Sequence, residues 1–248
     1  MPARCFIPPE NWPDHPEIRL GGREAHHLIR VLRVRKGEFV TCFDGRGREA
    51  DCSVREIAAG QLLLEAGPAR HDPDPRWSVT LGAAVPGQGK LEEIVSFATQ
   101  LNVARIIPLQ TERTVVRLTP DRFSRKLAHL RQVSVEAAKQ CGISRLPEIR
   151  TLTPWREALA GFKEYDRVLL SAVEGPHEKW SEAGGGRNIL LLIGPEGDFT
   201  SEEIRQAKQA GARPVSLGSS VLRCETAAVA SLSILSFVLR EKIFPWRP

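Results

Sequence analysis

The chain has 248 residues, 42% of them apolar, and a net charge of +5, which allows one large domain or two small ones and excludes general disorder. It holds no apolar run long enough to span a membrane, and its start, Met1-Pro2-Ala3-Arg4-Cys5-Phe6, lacks the apolar core of a secretory signal. Its 5 cysteines are scattered, with no C-x-x-C and no Cys/His cluster, so neither a metal site nor a disulfide framework is expected and a reducing cytoplasm is the natural location.

Residues 1–72 read as a small β-rich domain. A helix is expected near residues 23–32, with Ala25, Leu28, Ile29 and Leu32 on one face. Glu38-Phe39-Val40-Thr41-Cys42-Phe43 leads into Asp44-Gly45-Arg46-Gly47, a hairpin signal, and Gln61-Leu62-Leu63-Leu64-Glu65 is a further strand. Residues 69–76 are polar, contain Pro73 and Pro75, and read as a linker to a second domain over 73–248.

Beyond the linker, strands at 77–83, 105–109, 167–171 and 188–193 alternate with helices at 90–101, 121–141 and 227–240. The strands at 167–171 and 188–193 are almost wholly apolar, as parallel strands covered on both faces are. The expected fold class is α/β, a mostly parallel sheet flanked by helices. Charge is unevenly placed: residues 1–72 hold 11 Lys/Arg and 11 Asp/Glu, whereas residues 105–150 hold 10 Lys/Arg against 4 acids. Such an excess suits a polyanion, and a solvated helix face accounts for it equally well.

Two loops near the C-terminus carry the most information. Gly194-Pro195-Glu196-Gly197-Asp198-Phe199 follows an apolar strand, and Leu217-Gly218-Ser219-Ser220-Val221-Leu222-Arg223-Cys224-Glu225-Thr226 precedes the last helix. Strand-to-helix junctions are where open α/β sheets bind ligands. The glycine spacing fits neither a dinucleotide cradle nor a P-loop. Thr200 and Glu203 fit a capping box, Phe199 and Ile204 its hydrophobic staple, and Thr226 is the expected cap of the last helix. Arg223 and Glu225 are charges among apolar residues and must pair with each other or face a ligand.

These loops resemble those of the SPOUT methyltransferases, and within them the RsmE-type 16S rRNA (uracil-N3)-methyltransferases. The likeness extends to His26-His27-Leu28-Ile29-Arg30-Val31-Leu32-Arg33 with Phe43-Asp44-Gly45, to Lys90 with Leu101-Asn102-Val103, to Thr111-Glu112-Arg113-Thr114-Val115, and to Gln140-Cys141-Gly142. The resemblance implies an N-terminal PUA-like barrel, a C-terminal trefoil knot, a homodimer and S-adenosylmethionine as cofactor. It places Ser171, Ala172, Glu174, Ile193, Gly194, Gly197, Leu217, Gly218, Ser220, Val221 and Leu222 around that cofactor. The implied substrate is 16S rRNA or the small ribosomal subunit. Where the family has lysine, glutamate and glycine, this chain has Phe97, Gln100 and Asn102. Its GPEGG reads GPEGD, with Asp198 last, and Ile143, Ser220 and Cys224 replace usual arginine, arginine and threonine.

Methyl transfer to uracil N3 requires loss of the N3 proton. Arg223 stays protonated and suits stabilisation of charge on a carbonyl oxygen. Glu225, then Glu196, are the candidate proton acceptors if burial raises their pKa. Arg30, Arg33, Arg35, Lys36, Arg46 and Arg48 are the expected RNA phosphate contacts, with Arg113 near the active site and Arg145 beside the departure at Ile143. Two other readings fit: a SPOUT enzyme with a different RNA position or a ribose 2′-oxygen as target, and a non-catalytic RNA-binding assembly factor. Intact cofactor loops favour an enzyme.

Overall fold

A computed structural model describes residues 2–87, 89–114, 120–172 and 176–243 and divides the chain into two compact units. One contains residues 1–74 together with 135–146; the other contains residues 75–134 and 147–248. The linear reading assigned 135–146 to the second domain, but these residues pack within the first unit: Lys139 Nζ lies 3.1 Å from Glu24 Oε1, and Leu146 N–H donates to Gly45 O at 2.9 Å.

The N-terminal unit contains β1 (Ala3–Phe6), β2 (Glu17–Leu20), α1 (Gly22–His26), β3 (Phe39–Phe43), β4 (Arg48–Ala58), β5 (Gln61–Ala66) and β6 (Arg70–His71). The strands form one sheet in the order β1-β3-β4-β5-β2, with β6 on β4; only the β1–β3 pair is parallel. Alternation places Val40 and Cys42 of β3, Ala50, Cys52 and Val54 of β4, and Leu62 and Leu64 of β5 in one core. The expected helix near 23–32 is α1 followed by a wider π-type turn over His27–Val31, and the hairpin between β3 and β4 forms as expected. Asp44 organises that hairpin, its Oδ1 accepting from the backbone N–H of Arg46 and Arg48 at 2.7 and 3.1 Å.

In the second unit, β7 (Ser78–Ala84), β8 (Arg105–Gln110), β9 (Glu148–Ile149), β10 (Thr153–Pro154), β11 (Arg167–Ser171), β12 (Asn188–Ile193) and β13 (Arg213–Val215) form a parallel sheet ordered β10-β8-β7-β12-β11-β13, with β9 on β8. Between them run α2 (Lys90–Gln100), α3 (Pro120–Cys141), α4 (Trp155–Ala160), α5 (Trp180–Ala183) and α6 (Ser201–Gln209), and α7 (Cys224–Ile243) closes the order. The unit boundary falls inside α3.

Both sheet faces are covered, which explains the apolar strands. Ile189, Leu191 and Ile193 of β12 join the core that contains Leu91 and Ile94 of α2 and Leu232 and Leu235 of α7. Leu190 and Leu192 point to the other core, with Trp155, Phe162 and Phe199. Gly82 permits the tight β7–β12 packing, because a Cβ there would lie 2.7 Å from Leu192 Cδ2. The last helix begins three residues before the expected start. Ala227 N–H donates to Arg223 O at 2.8 Å, so Thr226 lies inside the first turn rather than at the cap. No described helix is long and apolar enough to cross a membrane.

Candidate active site

Strands β12, β11 and β13 are neighbours, and their carboxyl ends release three loops that line one pocket. Ser171 and Ala172 come from the first loop in sequence, residues 193–196 and Asp198 from the second, and Leu217, Gly218, Ser220, Val221 and Leu222 from the third. Cys224 and Ala227 close the wall from the first turn of α7. Nine expected cofactor residues (Ser171, Ala172, Ile193, Gly194, Leu217, Gly218, Ser220, Val221 and Leu222) therefore converge on this pocket. Gly197 is not among the lining residues, and its carbonyl accepts from Arg113 Nη1 at 2.6 Å. Glu174 and Val115 lie outside the described residues.

Local chemistry fixes the second loop. Asp198 N–H donates to Pro195 O at 2.9 Å, closing a turn, and Asp198 sits at φ 58 with its Oδ1 accepting from Phe199 N–H at 2.7 Å. Left-handed backbone suits glycine, and Asp and Asn tolerate it best among the others. The same explanation covers Asn102, at φ 58, which follows α2 where Val103 N–H closes onto Ala98 O at 3.0 Å. Gly194 has no room for a side chain: a Cβ would lie 2.8 Å from Asp198 Oδ1 and 3.1 Å from the Phe199 ring. Thr200 and Glu203 form the reciprocal capping box, and Glu203 Oε1 also accepts from Glu112 N–H at 2.9 Å. Phe199 packs on Trp155 with ring centroids 5.0 Å apart. The third loop is held at its base, where Trp180 Nε1 donates to Ser216 O at 2.7 Å.

The charges are arranged differently from the simplest expectation. Glu225 does not pair with Arg223. Lys90 Nζ stands between two carboxylates, 3.6 Å from Glu196 Oε1 and 3.9 Å from Glu225 Oε2. Glu196 Oε1 also accepts from Gly87 N–H at 2.9 Å. Burial alone would raise the Glu196 carboxyl, but the Gly87 and Glu196 N–H groups and Lys90 together hold it below its usual range, contrary to the raised pKa expected of a proton acceptor. Glu225 is largely buried, and its Oε2 has no hydrogen-bond partner among the described residues. Burial, reinforced by the Glu196 and Glu225 charges, pushes the Cys224 thiol up to about 11. Arg223 is exposed just before α7 and forms no side-chain ion pair among the described residues. Lys90 entered the sequence reading only as a motif residue. Nothing in its local spacing reveals that it meets a loop and a helix start distant in sequence.

In the N-terminal unit, Arg4, Arg19, Arg23, Arg48, Arg55, Arg70, Lys139 and Arg145 each pair with a carboxylate. Arg30, Arg33, Arg35, Lys36 and Arg46 are exposed and form no ion pair among the described residues. Two expected RNA contacts are therefore committed elsewhere. Arg48 binds Asp44 Oδ2 at 3.1 Å and lies 4.5 Å over the Trp12 ring; Arg145 donates to Asp72 O and Asp74 Oδ1 at 2.9 and 3.0 Å. The basic excess over 105–150 likewise is no single bare face: Arg105 and Arg150 pair with Glu148, and Lys126 pairs with Glu92.

Three of the scattered cysteines converge in the N-terminal core, with Cys5 Sγ 3.2 Å from Cys42 Sγ and Cys52 beside them. Hydrogen bonds with Cys5 and Cys52, together with burial, push the Cys42 thiol well above its usual value. Among the described residues no group of three or more His, Cys, Asp or Glu could hold a metal ion.

Residues 72–236 match the family model described as RNA methyltransferase domain, and residues 20–66 match RNA methyltransferase PUA domain. The ribosomal RNA small subunit methyltransferase E of Synechocystis sp. is 30% identical, over 97% of this chain and 79% of the relative. The crystal structure of a ribosomal RNA small subunit methyltransferase E from Neisseria gonorrhoeae bound to S-adenosyl methionine superposes with a TM-score of 0.85 at 26% identity, covering 96% of this chain and 98% of that one. A Legionella pneumophila protein described as a methyltransferase, solved with bound SAM, gives a TM-score of 0.86 at 27% identity, covering 96% and 98%.

Proposed function

The chain belongs to the RNA methyltransferase family, of the ribosomal RNA small subunit methyltransferase E type, and from that premise we propose that it methylates N3 of a uridine in 16S rRNA with S-adenosylmethionine as donor. The observation that carries this reading is the convergence of the three loops on one pocket at the carboxyl ends of adjacent parallel strands. Its wall fits the donor: bare backbone at Gly194 and Gly218, apolar side chains at Leu217, Val221, Leu222 and Ala227, and the carboxylate of Glu196 for a cationic molecule. Ser171, Ala172, Ile193 and Ser220 complete the binding set.

The donor supplies an electrophilic methyl group on a sulfonium. The chain's own residues orient the uracil, exclude water and manage the N3 proton. Arg223, exposed and without a carboxylate partner among the described residues, stabilises negative charge developing on a uracil carbonyl oxygen. Glu225 ranks first as proton acceptor because it is largely buried and its Oε2, 3.9 Å from Lys90 Nζ, has no hydrogen-bond partner among the described residues, whereas Glu196 is held ionised by Gly87 and Lys90. Arg113 holds the Gly197 carbonyl and so positions the loop. The target base enters unstacked.

The N-terminal unit, residues 1–74 with 135–146, serves as the PUA-like RNA-binding domain and the sheet unit as the catalytic domain, with Arg30, Arg33, Arg35, Lys36 and Arg46 on phosphates. The family relationship favours a knotted C-terminal backbone, a homodimer and a cytoplasmic location. The homodimer draws support from apolar side chains left at the surface of α2 and α7, Phe97 at 38% and Phe237 at 60% exposure. Calorimetry with S-adenosylmethionine tests the enzyme reading, since absence of binding to the pure protein overturns it. Mass spectrometry of rRNA nucleosides from a strain lacking the gene tests the product. Loss of 3-methyluridine is expected, and loss of a different methylated nucleoside moves the target.

A further inference from the structure

The basic segment of the N-terminal unit carries more than charge. Phe39 is 63% exposed at the start of β3, and Val31 and Leu32, at 60% and 45%, end the preceding helical turn. In sequence these three bracket Arg33, Arg35 and Lys36, with Arg30 just before them. Val40 follows Phe39 into the core, so strand alternation keeps the Phe39 ring on the outer face. Leu28 and Val34 are buried on either side of Val31 and Leu32, so the segment is anchored while these two side chains face water.

Phosphate contact alone needs cations and no exposed phenyl ring. An unpaired RNA base offers a π-face to an aromatic ring and a phosphate to a neighbouring cation, whereas a paired duplex hides its base faces. A contact between two copies of this face would bring the exposed cations of both copies together, which disfavours self-association. We propose that Phe39, flanked by Val31 and Leu32, is a stacking platform for an unpaired nucleotide of the RNA substrate, with Arg30, Arg33, Arg35 and Lys36 holding its phosphates. This rests on the RNA methyltransferase reading and adds a preference for single-stranded over duplex RNA.

The test is fluorescence anisotropy of the full-length protein with a short single-stranded RNA and with the same sequence as a duplex, across a salt series. Phe39→Ala is expected to weaken single-strand binding about tenfold and to leave the slope of log K against log salt unchanged. Phe39→Trp is expected to bind as the parent does, with tryptophan emission quenched by the RNA. Unchanged single-strand affinity in Phe39→Ala overturns the platform. If charge reversal at Arg30 and Arg33 still weakens binding and flattens the slope, the phosphate-binding surface survives that failure; if it does neither, that surface fails as well. Dissociation of a dimer by Phe39→Ala, seen in sedimentation without loss of RNA affinity, overturns the platform in favour of a contact between copies. Should Phe39→Ala not fold, unquenched Phe39→Trp emission at saturating RNA overturns it alone.

Discussion

The pocket of the sheet unit and the basic segment of the N-terminal unit handle charge in opposite ways. Around the pocket, Lys90 lies between Glu196 and Glu225, and the Gly87 N–H completes the hold on Glu196. Arg223 is exposed and has no carboxylate partner among the described residues. In the N-terminal unit the ion pairs belong to the scaffold, from Arg4–Glu49 to Arg145–Asp74, and the cations of residues 30–36 stand apart from them. A pocket that handles a proton needs charges held at fixed positions and fixed ionisation. A surface that meets a flexible polyanion needs charges left free to find phosphates.

The largest expected effect tests Arg223, which stands between the pocket-lining Leu222 and Cys224. Arg223→Ala is expected to lower turnover by about 10²–10³-fold and leave donor affinity nearly unchanged. Labelled-methyl transfer and calorimetry measure the two quantities, and equal losses in both would make Arg223 a structural arginine. Next is the rigidity of the loop. Gly194→Ala forces a Cβ against Asp198 and Phe199 and is expected to cost about 1–3 kcal/mol in denaturant unfolding, together with weaker donor binding.

Lys90 tests whether the pocket charges act on one another. A carboxyl held low in the folded state adds stability above its unfolded pKa, about 4.3 for glutamate, and loses it as pH falls through the lowered value. In Lys90→Met the Glu196 carboxyl moves back up, so this contribution shrinks at neutral pH. The stability gap between parent and variant is therefore expected to narrow as pH drops below about 4. A gap that is constant from neutral to acid pH would show that Lys90 contributes packing alone.

The alternation of strands and helices and the capping box at Thr200 and Glu203 were legible because each rests on local periodicity or cap chemistry, and the two C-terminal loops were legible as one site through their place at strand ends and the family resemblance. Lys90 was not, since its partners come from the loop after β12 and the first turn of α7. The packing of residues 135–146 in the N-terminal unit was not, because an amphipathic helix shows that it has an apolar face without showing what covers it. Thr226 misled as a cap since a suitable side chain does not decide which carbonyl accepts the first helical bond. The three core cysteines looked scattered because cross-strand neighbours are distant in sequence. Arg46 and Arg48 are indistinguishable in the hairpin sequence, and Asp44 and Trp12 decide between them.

That last pair sharpens the contrast between scaffold and surface cations. Arg48→Ala removes the ion pair to the buried Asp44 and the contact over Trp12, and is expected to cost about 1–2 kcal/mol in thermal or denaturant unfolding. Arg46→Ala is expected to change stability by less than about 0.5 kcal/mol and to lower the salt slope of RNA binding by about one. Reversed outcomes would place Arg48 on the RNA and Arg46 in the fold.

The smallest effects concern the family glycines that this chain replaces. Asn102 and Asp198 share φ 58, and an ordinary L-residue there is strained by about 1–2 kcal/mol, less for Asn and Asp. Asn102→Gly therefore is expected to stabilise the protein by up to about 1 kcal/mol, and Asn102→Ala to destabilise it by a similar amount. Asp198→Gly relieves the same strain but removes the acceptor of the Phe199 N–H, a hydrogen bond worth about 1 kcal/mol, so its net effect is expected near zero. Denaturant unfolding of the two glycine variants separates the terms. If Asp198→Gly stabilised as much as Asn102→Gly, the carboxylate would contribute nothing to the turn. The aspartate would then need a reason in the pocket it lines rather than in the loop it closes.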